Sequence, residues 1–63
     1  MMTPQMLERA SAAFRAGYRL ASDSTNVGLP SDLPSEGTFY GHDFREGFGA
    51  RRNEQWWAAK GRL

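Results

Sequence analysis

The residues whose types and spacing could do chemistry are His42, Asp43 and Glu46. On a helix, an imidazole and a carboxylate four residues apart share one face, which is half of a metal site or of a general acid–base pair. The other half is missing from the sequence. His42 is the single histidine, and there is no cysteine. The serines and threonines of the middle segment lack a Gly-x-Ser-x-Gly turn. Gly47-Phe48-Gly49 is too short to be a nucleotide-binding loop. The expected role of His42, Asp43 and Glu46 is therefore a solvent-facing polar stripe. No catalytic residue, metal or cofactor is expected. Nor is a small-molecule substrate, because two helices should not enclose a cleft of ~300 Å³ or more. The expectation is a protein that is not an enzyme.

A second candidate chemistry is phosphate recognition. Arg15 and Arg19 lie one helical turn apart, and Arg51 and Arg52 stand beside Trp56 and Trp57, with Arg45 one to two turns earlier. Guanidinium groups contact phosphates and indoles stack on exposed bases, so these residues would suit RNA. Asp43, Glu46 and Glu54 interleave with them and blunt a positive field. RNA binding through Arg15, Arg19, Arg45, Arg51 and Arg52 is thus the alternative reading.

The strongest signal is aromatic. Phe14, Tyr18, Phe39, Tyr40, Phe44, Phe48, Trp56 and Trp57 crowd into two segments. Tyr40, Phe44 and Phe48 fall on one helical stripe, which predicts packing against the first helix. Phe39 and Trp57 fall on another side, and one neighbouring helix cannot cover both. Aromatics and arginine dominate protein interfaces. Phe39, Phe48, Trp56 and Trp57 are therefore the expected partner-binding residues, with a partner protein or a second copy of the chain as cover. The other cover considered is the chain's own middle segment, through Val27, Leu29 and Leu33.

These residues must be positioned by very few elements. Thr3-Pro4 is a helix start, with Thr as cap and Pro at the first helical position. Leu7, Ala10, Phe14, Gly17, Tyr18 and Ala21 then recur at helical spacing. The pattern predicts one helix from about 4 to 21. Residues 22–37 carry the turn chemistry of Ser22-Asp23-Ser24-Thr25-Asn26 and of Pro30 and Pro34 with Gly28 and Gly37, and no base. They predict a long irregular loop. Thr38 reopens helical spacing to about Lys60, with Gly61 as the stop. Gly41, Gly47 and Gly49 each cost about 1 kcal/mol relative to Ala in a helix. One continuous helix is still expected, the glycines serving close backbone approach. The predicted fold is all-α: two antiparallel helices, a helical hairpin, in a single domain over 1–63. A dimeric four-helix arrangement is its simplest completion.

Composition sets the limits. The chain has 63 residues, 40% hydrophobic and 24% charged, with formal net charge +1. So small a domain buries only roughly 60% of the surface its unfolded chain exposes, and it lacks a disulfide or metal staple. Residues 1–9 show no basic-then-apolar leader, and no apolar run reaches the ~20 residues of a membrane span. A cytoplasmic protein with no membrane partner is expected.

Two segments, Ala13-Phe14-Arg15-Ala16-Gly17-Tyr18 and Phe44-Arg45-Glu46-Gly47, give the chain a resemblance to the ribosome modulation factor family of small bacterial proteins. That family also places a proline-bearing loop between two helices. The resemblance covers about half of the chain. It implies binding to ribosomal RNA near the messenger path during growth arrest. The sequence departs from the family in lacking its Cys-Pro-Tyr loop motif, in placing Gly41 three residues before Phe44 rather than one, and in being far less basic.

Overall fold

The computed structural model describes residues 2–24 and 26–61; Thr25 and Arg62 lie outside them. Among the described residues three helices form: α1 (Pro4–Arg9), α2 (Ala12–Asp23) and α3 (Phe39–Lys60). No helix among the described residues is long and apolar enough to cross a membrane. The all-α expectation holds, and α3 runs unbroken through Gly47 and Gly49. Two other expectations do not hold.

The first helix is broken at Ala10-Ser11. Both residues are extended, with ψ of 159°. Alanine is the best helix former, so propensity opposes the break. Side-chain capping favours it. The Ser11 hydroxyl accepts from the Phe14 N–H (3.1 Å) and donates to Asp43 Oδ2 (2.8 Å). Arg15 Nη1 donates to the carbonyls of Ala10 (2.7 Å) and Glu8 (3.2 Å). Each end exposed by the break is therefore satisfied locally. Thr3 and Thr38 cap α1 and α3 in the same way as Ser11 caps α2.

The main helix pair is not an antiparallel hairpin. Ser11, at the start of α2, bonds to Asp43; Tyr18 reaches Glu54; Ala21, near the end of α2, accepts from Arg52 and Gln55. Contacts advance along both helices together, so α2 and α3 run parallel. A parallel neighbour requires a connection that returns over the whole contact length, and the long 24–38 segment is that connection. Short connections make antiparallel neighbours, so the loop length was itself the signal against a hairpin. The short α1 is the element that folds back: the Met2 N–H reaches Glu54 while Ser11, beyond its other end, reaches Asp43.

The core is small. Ala13, Tyr18, Ala21 and Phe44 are its buried hydrophobic side chains, with Gly17, Gly41 and Gly47 also buried. A side chain on Gly17 would collide with the Phe44 carbonyl, and one on Gly47 with the Phe14 carbonyl. The two helices thus touch backbone to backbone at a reciprocal pair of Phe-Arg-x-Gly segments. The expected core stripe shrinks to Phe44. Tyr40 stacks on it at a ring distance of 6.0 Å but remains 49% exposed.

Candidate partner-binding face

The capping and packing above fix α3 with one side on α2 and the loop and the other side free. Phe39, the first residue of α3, is 92% exposed. Trp57 is 60% exposed and Trp56 50%. Phe39 and Trp57 are five full turns apart on the same line of the helix, about 27 Å along its axis. The two indoles meet edge to face with centroids 4.8 Å apart, and Lys60 Nζ lies 5.0 Å from the Trp56 ring centre. Phe48 is different. It is half-buried, with the Arg52 guanidinium 4.7 Å above its ring. The structure therefore leaves Phe39, Trp56 and Trp57 open and covers much of Phe48.

The loop does not cover the aromatic ends. Leu33 is half-buried, but Val27 and Leu29 are exposed. Polar contacts pin the loop instead. Arg52 donates to the carbonyls of Ala21 (3.1 Å), Ser24 (3.0 Å) and Val27 (2.6 Å), and Arg45 to those of Pro34 (2.8 Å) and Gly41 (3.1 Å).

Four of the five arginines proposed for phosphate contact are thereby engaged within the chain. Arg15 holds the end of α1, Arg45 and Arg52 hold the loop, and Arg51 pairs with Glu54 at 3.0 Å while lying 5.6 Å from the Tyr18 ring centre. The Arg51 Nε is buried without an acceptor. Arg19 stands exposed on α2. Nothing in the sequence distinguished a guanidinium that grips carbonyls from one that grips phosphates. Arginine's planar fork of five donors suits either.

Glu54, which sequence reasoning did not single out, joins the elements. It accepts from Tyr18 Oη (2.6 Å), the Met2 N–H (2.8 Å) and Arg51. Burial pushes its carboxyl up, but the three donors together hold it below the ordinary carboxylate range. Burial, and then the bond to Glu54, raise the Tyr18 phenol above its ordinary range.

His42 and Asp43 are in contact, with Nδ1 3.0 Å from Asp43 Oδ1, and Glu46 lies 3.6 Å from Nε2. The Asp43 hydrogen bond lifts the imidazole above its usual range, and His42 and Ser11 lower the carboxyl. Ser11, Asp43 and His42 resemble a triad only in composition. The hydroxyl donates to the carboxylate rather than to the imidazole, so His42 is not placed to take its proton as the base of a triad does. No cluster of three His, Cys, Asp or Glu residues fit for a metal forms among the described residues.

The surface is more concave than two helices suggest. An open groove of about 380 Å³ runs along α3 past His42, Glu46, Gly49, Ala50 and Asn53. Another of about 520 Å³ lies on α2 beside Leu7, Tyr18 and Arg19. Comparison with protein families, with curated proteins and with solved structures finds no match for this chain.

Proposed function

We propose that this chain is a small, cytoplasmic, non-enzymatic interaction module that presents the outer face of α3 to a partner protein or to its own copy. The single observation that carries this reading is the 92% exposure of Phe39 in line with the open Trp57. Two large apolar side chains held on one rigid helix line are costly to leave in water and lose little freedom on binding. Aromatics of this kind supply most of the energy at interface centres.

The alternative, a ribosome- or RNA-binding factor as the family resemblance implies, draws on Arg19 and on Lys60 beside Trp56. It has less support, because Arg15, Arg45, Arg51 and Arg52 already donate to acceptors within the chain.

A photo-crosslinking amino acid at position 39 or 57, with position 32 on the loop as control, tests the proposal in living cells. Protein adducts at 39 and 57 but not at 32 are expected. Equal labelling at all three positions, or none at 39 and 57, overturns it, and adducts to RNA at these positions favour the alternative.

A further inference from the structure

The outer face of α3 is complementary to itself. Phe39 and Trp57 stand eighteen residues apart on one helix line, so the midpoint of that line falls within two residues of Gly49 and Ala50. Gly17, Gly41 and Gly47 each face backbone atoms that leave no room for a side chain, whereas Gly49 faces open space. Glycine is a poor helix residue, and nothing within the chain requires it at that position. The groove between Phe14 of α2 and α3 reaches this small-residue centre at its edge.

The charges are ordered in the same sense. The first half of the face carries Asp43 and Glu46 with the single His42 imidazole between them, and Glu36 stands just before the helix, so acids outnumber the imidazole there; Arg45 is turned to the Pro34 and Gly41 carbonyls. The second half carries Asn53 and Lys60 and no acid. A face with apolar ends, a small centre and opposite charge on its two halves matches a copy of itself rotated by a two-fold axis.

We infer that the partner of α3 is a second copy of this chain, docked with the two α3 helices antiparallel and crossing near Gly49 and Ala50, so that Phe39 of each copy meets Trp57 of the other. The inference rests on the proposed interaction role of this face. The acidic half of each helix then lies beside Lys60 of its partner, and the two helix dipoles oppose each other favourably. A helix of about 33 Å length offers a contact at the small end of specific interfaces, so association is weak and is sought at protein concentrations of about 10–500 µM.

Sedimentation velocity across that range reads it directly. The 7.1 kDa chain is expected to shift towards twice its mass. A Cβ at position 49 meets no atom of its own chain, so Gly49→Leu should keep full helicity by circular dichroism, yet weaken association at least tenfold. Register is read by mixing Glu46→Cys with Ala50→Cys copies of this otherwise cysteine-free chain. Mixed disulfides should outnumber same-site ones about tenfold. Predominant 46–46 and 50–50 bonds overturn the antiparallel pairing. A chain that remains monomeric throughout overturns the second copy as partner. If position 39 or 57 still captures another protein in cells, the interaction role survives while this inference fails.

Discussion

Gly47 lies against the backbone carbonyl of Phe14, where any side chain would collide with it. Gly17 lies against the carbonyl of Phe44 in the same way, so each Phe-Arg-x-Gly segment supplies the flat surface on which the other's phenylalanine backbone rests. The arginines of the two segments also act alike, each donating to carbonyls of the stretch preceding its helix or in its first turn. The pair makes a parallel contact close enough to bury Phe44 and Ala13 in a chain with very little core.

Glycine substitutions should therefore separate by position. Gly17→Ala or Gly47→Ala forces the helices apart and should cost about 1–3 kcal/mol or more, as overpacking does. Gly49→Ala meets open space and should stabilise the isolated chain by up to about 1 kcal/mol through helix propensity. Urea unfolding followed by helical circular dichroism at low protein concentration measures all three.

Arg52 should be the residue on which the long connection depends. Its guanidinium satisfies the Ala21, Ser24 and Val27 carbonyls at once, ending α2 and starting the return of the chain. Hydrogen bonds from a charged donor contribute about 1.5–3 kcal/mol when shielded, and partial exposure reduces this. Arg52→Ala should cost about 2 kcal/mol and speed amide exchange in residues 26–33. Arg52→Lys should recover little, because a compact ammonium cannot span three carbonyls.

The sequence made α3 legible because its cap, length and stop are local signals: Thr38 accepts from the Gly41 N–H and Gly61 closes onto the Trp57 carbonyl. The break at Ala10-Ser11 was hidden because Leu7, Ala10 and Phe14 keep helical spacing across it, while the Asp43 that rewards Ser11 is thirty-two residues away. Helix direction was hidden for a similar reason. The partners that reveal it, Tyr18 with Glu54 and Ala21 with Arg52, are distant in the chain. On the candidate face, Phe39 and Trp57 were readable from periodicity. Which arginines remained open was not, because carbonyl-gripping and solvent-facing arginines share one pattern.

Acid should loosen the docking of α1. Glu54 has a folded-state pKa below its ordinary 4.5. Its contribution is thus complete above about pH 4.5 and is lost as pH falls through the lower folded value. Asp43 acts in the same sense below its ordinary 3.8. Tyr18 works at the other end. Its raised phenol contributes fully below about pH 10 and loses that contribution as pH rises through the folded value. Melting temperature should fall between pH 5 and pH 2. Tyr18→Phe should bring the Glu54 carboxyl closer to 4.5 in an NMR titration. An unchanged Glu54 titration would remove the hydrogen bond as the cause.

Folding and binding should depend on different aromatics. Tyr18 and Phe44 are buried, so Phe44→Ala should cost about 3–5 kcal/mol and Tyr18→Ala a similar amount, as cavities in a small core do. Phe39 is almost wholly exposed and Trp57 largely so; Phe39→Ala and Trp57→Ala should leave the dilute chain's stability within about 0.5 kcal/mol. Both surface variants should nevertheless lose crosslinking at the outer face of α3. Thermal melts at low concentration, set beside crosslinking yields for the same variants, check the separation. A large loss of stability in Phe39→Ala would mean that this side chain serves the fold, and the open face would then lose its functional meaning.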